Sequence, residues 1–465
     1  MNFDRRVSFF KKNWQKINNH FSSIQIIVFY YLAMTVLALI LFHLPAFREP
    51  DSHASFLDMV FMAISTISVT GLTTFDINSV FNDAGVLMLE VLFHIGGLGI
   101  MMITTFFFIV SKRRITLKQR QLIMTDMNQP RLSGIVNLIR ITFTMLLAIE
   151  VLFGTIFSLY FYLAGYYQKI SEAIFFGFYQ SISALTNSGF DVTGESIIPF
   201  SHDVFFIVTI MLLIFIGGIG FPVLMDFHGW IFHKKSDSKL PFRFSLFSKI
   251  ALLAFFVLFI GGAVAIWLLE KDHSFADMNV FDQWLNSSFY SMTTRNAGLQ
   301  IHDLSSFQNT TLIIFALLMF IGCSPSSVGG GVRTTTIAII GLYLYSFLKN
   351  ENDINVFGRK IAQEDVRKSV VVFMLSAGMC LFSILFLTAT EDQSLISIIV
   401  EVTSAFGTTG LSLGITADLS NTGKIMIAIL MFIGRIGMLY TLLLFVPKET
   451  QDLGYEFPEE KIIIG

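Results

Sequence analysis

The chain has 465 residues, of which 54% are hydrophobic and 14% charged, with a formal net charge of −2 and a mean hydropathy of +0.69. Soluble domains carry about a quarter charged residues, so an ordinary soluble globule is excluded, and without a basic excess nothing points to nucleic acid. The two cysteines, Cys323 and Cys380, sit inside apolar runs, which excludes a disulfide framework and a cysteine-built metal centre.

Residues 1–20 form a short N-terminal segment with five basic side chains. The apolar run that follows, 24–42, is long enough to cross a bilayer and too long for a signal peptide, with no small-residue cleavage site after it. It reads as a retained first helix with a cytoplasmic N-terminus. Further spans are predicted near 84–110, 141–166, 204–232, 248–269, 307–348, 368–390 and 424–446, with the first extended to 24–45. In alternate gaps lie shorter apolar stretches, "SFLDMVFMAISTIS", "EAIFFGFYQSISAL", "FDQWLNSSFYSMTT" and "SLISIIVEVTSAFG". A helix of 14 residues reaches about 21 Å, short of a hydrocarbon core of about 30 Å, so these stretches are expected as re-entrant half-helices.

Each short stretch ends in a glycine-bearing turn. Gly71, Gly189, Gly298 and Gly410 are separated by 118, 109 and 112 residues, and a second glycine mark, Gly96, Gly217, Gly322 and Gly434, follows at 25, 28, 24 and 24. Four coincidences in register define an internal repeat. Its units cover 21–113, 114–234, 235–350 and 351–447, with a C-terminal tail at 448–465. The expected fold is therefore an all-α integral membrane protein of eight spans. It comprises four tandem units of span, pore half-helix and loop, then span, with pseudo-fourfold symmetry about a central pore.

Two crossings per unit give all units one orientation. The N-terminus, the three loops between units and the tail carry 5, 7, 5, 5 and 2 basic residues, whereas the opposite face carries only Arg48, Lys169, Lys271 and Lys424. The positive-inside rule then places both termini in the cytoplasm and the half-helices in the outer leaflet. Arg295, Arg333 and Arg435 remain within the unit cores.

Irregular backbone at membrane depth survives only when buried in protein or lining water. Glycine lets such a backbone adopt conformations closed to other residues and approach a ligand closely. A ring of carbonyls there can replace the hydration shell of a monovalent cation. The half-helix C-termini favour a cation at the centre, and acids on the outer segments (Asp51, Asp76, Asp191, Glu195, Asp303, Asp418) raise its local concentration.

"SVTGL", "NSGFD", "TRNAGL" and "TTGLSLG" resemble the four pore-loop signatures of the Trk/Ktr/HKT potassium transporter superfamily. The eight-span length and the ending "PEEKIIIG" resemble most its KtrB-type membrane subunits. Asn296 stands where the family often has Thr, Ser188 where Ala is common, and Leu299 where Phe is common. Glycine at all four turns matches the potassium-selective pattern; members with serine in the first turn tend towards sodium. The resemblance implies K+ coordination by backbone carbonyls around Val69, Thr70 and Gly71, Asn187, Ser188 and Gly189, Asn296, Ala297 and Gly298, and Thr408, Thr409 and Gly410. It implies uptake of K+ across a bacterial cell membrane, Na+ as a further candidate ion, and no organic cofactor on this chain. The implied partners are a second copy, giving a homodimer, and a cytoplasmic KtrA-type ring of RCK subunits binding ATP and ADP.

Arg295 precedes the carbonyl-lining residues of the third turn. Pointing behind that turn, its five donors would tie the loop to carbonyls or an acid. In the third unit alone "GCSPSSVGGGVRTTT" interrupts the second span, where Pro325 and three consecutive glycines disfavour helix. The segment lacks the Lys-[Ser/Thr] ending of a P-loop. It is expected to be an intramembrane gate comprising Ser324, Pro325, Ser326, Ser327, Gly329, Gly330 and Gly331. Arg435 occupies the slot matching Cys323, and loop carbonyls and the Ser324, Ser326 and Ser327 hydroxyls are its expected partners. Glu90 and Glu150 are expected to form interhelical hydrogen bonds, and His94 to be a core histidine. No H-E-x-x-H or Walker A pattern suggests an enzyme. An ion-coupled secondary transporter (K+/Na+ or K+/H+ symport) is the alternative, and it would need two broken helices in inverted halves.

Overall fold

The computed structural model describes residues 22–50, 52–99, 102, 105, 108, 115–126, 133–190, 192, 194, 196–232, 242–351 and 353–444. The predicted N-terminal segment, the C-terminal tail, Asp51, Asp191 and Glu195 lie outside the described residues. The first predicted unit contributes α1 (Ser23–Phe42), α2 (Phe56–Ser68) and α3 (Asp83–Leu98). The second contributes α4 (Leu117–Asp126), α5 (Ile135–Leu163), α6 (Ile170–Thr186), α7 (Val204–Gly218) and α8 (Phe221–Ile231). The third holds α9 (Leu246–Glu270), α10 (Val280–Thr293), α11 (Asn309–Ile321) and α12 (Thr334–Leu348). After a two-stranded hairpin, β1 (Asn355–Val356) and β2 (Arg359–Lys360), the fourth holds α13 (Gln363–Thr390), α14 (Leu395–Gly407), α15 (Asn421–Ile436) and α16 (Met438–Leu443).

Among the described residues, α1, α5, α9 and α13 are each long and apolar enough to cross a bilayer, one in each predicted unit. They expose rows of large apolar side chains, such as Phe29, Val36 and Ile40 on α1 or Leu253, Val257 and Ile260 on α9. Such faces suit lipid and not water, so this is a multi-pass membrane protein. The short helices α2, α6, α10 and α14 are the inner elements: Ser65–Ser68, Ser183–Thr186, Phe289–Thr293 and Glu401–Gly407 are all buried.

Local chemistry sets where these inner helices begin and end. Ser55, Asn279 and Ser394 cap α2, α10 and α14 by accepting from Asp58, Asp282 and Ser397 backbone N–H groups at 3.1, 2.8 and 3.1 Å. Three of the C-termini close in one pattern: the N–H groups of Thr70, Ser188 and Thr409 donate to the carbonyls of Ser65, Ser183 and Ser404 at 2.9, 3.0 and 2.8 Å. That six-to-one bond requires a left-handed residue at the bend, supplied by Val69, Asn187 and Thr408 with φ of 58°, 52° and 54°.

Packing is cyclic. α3 lies on α6, α7 on α10, α11 on α14, and α15 returns to α2, so the following helix of each unit supports the inner helix of the next. Lys424 on α15 pairs with Asp58 on α2 at 2.9 Å and stitches the last unit to the first. Within units, a polar side chain fastens the end of the long helix to the start of its partner. Asn82 donates to the Ala46 carbonyl at 3.1 Å, Tyr160 to Asp203 at 2.6 Å, and the backbone N–H groups of Gln308 and Ser420 to Glu270 and Glu391 at 3.0 and 2.8 Å.

The second glycine mark has a steric role. A side chain on Gly96, Gly217 or Gly434 would meet the carbonyl oxygen of Ile67, Leu185 or Phe406, at the end of the same unit's inner helix. Gly322 in the third unit faces Gly330 instead. The expectation of a single broken span needs correction. The residue three beyond the mark is Gly99, Gly220 or Gly437, with φ of 86°, 98° and 97°; Gly99 and Gly437 cap the C-termini of α3 and α15, and Gly220 caps the N-terminus of α8. At Gly220 the axis turns by 104°. Gly217→Ala would force its β-carbon against the Leu185 carbonyl, an overpacking that costs about 1–3 kcal/mol. The expected result is a lower Tm of the detergent-solubilised protein, measured by thermal denaturation.

Candidate functional site

The four turns meet. A β-carbon on Gly71 would strike the Ser188 carbonyl oxygen, one on Gly189 the Ala297 oxygen (2.6 Å), one on Gly298 the Thr409 oxygen, and one on Gly410 the Thr70 oxygen. Each glycine abuts the turn of the next unit, and the fourth abuts the first, so the contacts close into a ring. In every turn a left-handed residue (Val69, Asn187, Asn296, Thr408) and a left-handed glycine flank one residue of ordinary φ. That alternation turns successive carbonyls out of the usual strand zigzag. All twelve residues expected to line the ring are brought together; Thr70, Ser188, Ala297 and Thr409 have no measurable exposure.

The turn geometry carries strain, because Val69 and Thr408 are β-branched residues in a region costing roughly 1–2 kcal/mol per residue. Neighbouring side chains hold it. Ser68 and Thr70 hydroxyls pair at 2.7 Å, those of Ser183 and Ser188 at 2.9 Å, and Thr293 donates to the Leu299 carbonyl at 2.8 Å. Asn296 was expected to act through its backbone, yet its amide also donates to the Gly407 carbonyl and to the Thr408 hydroxyl, the latter at 3.0 Å. It thereby clamps the third turn onto the fourth.

Arg295 is 1% exposed. The partner differs. Its guanidinium stacks on the Phe255 ring of α9, 4.3 Å from the centroid, and makes no hydrogen bond to a described residue. The face of an aromatic ring stabilises a desolvated cation without accepting a proton. The Arg295 carbonyl accepts from the Cys323 thiol at 3.2 Å, which joins this turn to the broken span.

The segment 322–333 lies against the ring, touches the second and fourth units, and is linked to the first through Arg435. Backbone N–H groups of Ser324 and Val328 donate to the Gly218 and Gly217 carbonyls at 3.1 and 3.3 Å. Gly329 faces the Asn296 side chain, and Gly330 faces Thr408 and the Gly434 carbonyl. Arg435 donates to the Val328 carbonyl and to the Gly96 and Gly97 carbonyls, the last at 2.9 Å. A loop carbonyl is thus its partner, as expected, but the Ser324 and Ser327 hydroxyls are engaged elsewhere, with Thr334 at 3.0 Å and the Ser324 carbonyl at 2.6 Å. The Gly96 and Gly97 carbonyls were not anticipated. Pro325 and Ser326 line, with Arg333 and Arg435, a cavity of about 310 Å³ on one side of the loop.

Arg333 was placed in a unit core but given no role. It has φ 84° and ψ 135°, the conformation of Gly99, Gly220 and Gly437. The loop therefore replaces that glycine by an insertion, and the chain re-enters its helix through an arginine. Its guanidinium donates to the Gly329 carbonyl within the loop.

Away from the ring, Glu150 Oε1 lies 3.4 Å from His94 Nε2 without a hydrogen bond, so the interhelical bond expected of Glu150 is not made by that oxygen. On the outer segments, Asp76 and Asp303 cap short turns. The Ser305 hydroxyl, then its backbone N–H, hold the Asp303 carboxyl below the usual carboxylate range. For Asn296→Ala the clamp disappears and buried acceptors are left unpaired, at about 1–3 kcal/mol. A lower Tm together with weaker discrimination between K+ and Na+, read by tracer uptake, is the expected outcome.

Comparison with known proteins follows the same contours. A family model described as TrkH, cation transport protein, matches residues 32–453. The Ktr system potassium uptake protein D of Bacillus subtilis (strain 168) is 44% identical, over 97% of this chain and 99% of its own. The Ktr system potassium uptake protein B of Vibrio alginolyticus is 31% identical, over 95% of this chain and 94% of its own. The crystal structure of the potassium transporter TrkH from Vibrio parahaemolyticus shares the fold, with a TM-score of 0.70 and 18% identity over 92% of this chain and 86% of that one. The chain belongs to the TrkH family of cation transport proteins.

Proposed function

We propose that this protein takes up K+ across the bacterial cell membrane as the channel-like translocating subunit of a Ktr-type system. The observation that carries the reading is the closed ring of glycine and carbonyl contacts through Gly71, Gly189, Gly298 and Gly410. In this reading the four units are each span, half-helix and span, giving eight spans with both termini cytoplasmic. Carbonyls of the four turns form the selectivity filter. The turns are held from behind by Arg295 on Phe255, and selection rests on a backbone whose spacing is fixed before the ion arrives.

The segment 322–333 is the gate. It is fastened to the second and fourth units and, through Arg435, to the first; Arg435 both ties it down and sets a positive charge in the ion's path. The assembly is a homodimer regulated by an RCK ring that binds ATP and ADP. Sodium dependence belongs to the same proposal, supported by 31% identity to the potassium/sodium uptake protein NtpJ of Enterococcus hirae. The helix breaks at Gly99, Gly220 and Gly437 recur in one direction instead of as an inverted pair, which favours this reading over a coupled secondary transporter.

The test is growth of a potassium-uptake-deficient bacterium on low K+, with and without a co-expressed RCK subunit. Rescue is expected, and no rescue in either case overturns the proposal. Arg435→Ala, by releasing Val328, is expected to raise rubidium flux severalfold; flux at the wild-type level would remove the gate from the reading.

A further inference from the structure

Each of three inner helices grips the segment beyond its turn with a polar side chain. Tyr179 on α6 donates to the Phe190 carbonyl at 3.1 Å, and Tyr290 on α10 to the His302 carbonyl at 3.1 Å. Both grips are neutral phenols. On α14 the gripping group is an acid. Glu401 has no measurable exposure, and each of its carboxylate oxygens accepts from a hydroxyl: Ser412 at 2.6 Å and Thr416 at 2.5 Å. Ser412 in turn contacts the Thr416 hydroxyl at 3.1 Å and accepts from the Gly414 N–H at 3.0 Å, so the carboxylate anchors the whole segment from 411 to 416.

Asp58 on the corresponding helix of the first unit is paired with Lys424, whereas no described lysine, arginine or histidine forms an ion pair with Glu401. The group is held by its two hydroxyl contacts alone, and losing them leaves buried polar atoms unpaired. Its helix leads directly, through Gly407, Thr408 and Thr409, into the fourth turn of the ring.

We propose that Glu401 is a positioning and specificity-determining residue of the ring: through its two hydroxyl contacts it holds the backbone of 411–416, and with it the fourth turn, in place. The inference rests on the transport reading above.

Rubidium uptake into a potassium-uptake-deficient bacterium, with K+ and Na+ as competitors, tests it. Glu401→Ala removes both hydroxyl contacts and is expected to strengthen inhibition by Na+ about tenfold. Ser412→Ala combined with Thr416→Ala removes the same contacts from the other side and is expected to do so to a similar extent. If Glu401→Ala does not accumulate, the combined Ser412→Ala and Thr416→Ala variant decides. Na+ inhibition at the wild-type level in either accumulating variant overturns the proposal while leaving the transport reading intact. Absence of uptake by the wild-type protein removes both.

Discussion

Backbone polar groups inside a bilayer have no water to turn to, and this constraint organises the molecule. A helix satisfies it alone; a turn does not. Four turns occur at the centre of this fold, and each is enclosed by the others. The glycine of one unit leaves room for the carbonyl of the next, and the C-terminal ends of the inner helices around them are buried. The long helices at the periphery shield that centre from lipid, and the glycines at 96, 217 and 434 let the supporting helices come close enough to do so.

Rigidity at the centre follows from strain that the surroundings over-determine. Val69 and Thr408 adopt a left-handed backbone that β-branched residues avoid. Hydroxyl pairs, the Asn296 amide and the cyclic contacts leave these residues no relaxed alternative. Arg333 is a second strained point, of a different kind. Three units place glycine where the helix breaks, while the third places an arginine in the same backbone region, at a cost of about 1–3 kcal/mol. Its side chain is bonded inside the loop it terminates, so the conformation and the loop stand or fall together.

Much of this was legible in the residues. The spacing of the turn glycines marked the repeat, and the predicted half-helices agree with α2, α6, α10 and α14 to within about two residues, an ordinary boundary error. The glycines three residues beyond the second mark were equally visible in "HIGGLG", "FIGGIG" and "FIGRIG", but the longer glycine run of the third unit drew attention away from them. What could not be read is pairing across units. Arg295 has five donors and the expectation was a carbonyl or an acid; only the fold brings Phe255 beneath it. Arg435 finds Gly96 and Gly97 about 340 residues away in sequence, and no periodicity predicts that. Glu401 sits in an apolar run, and its hydroxyl partners are identifiable only once the segment after the fourth turn folds back.

A ring built from one chain imposes an order on its own assembly. Asp58 and Lys424, which join the first unit to the last, are 366 residues apart. At about 5–20 residues per second of synthesis, the early residue waits roughly 20–70 s for its partner to emerge. For the last part of that interval, the 112 residues between Gly298 and Gly410, the first three turns exist without the fourth and their carbonyls face an unfinished centre. The nascent protein must therefore be sheltered by the insertion machinery, or by water at that depth, until the circle is complete.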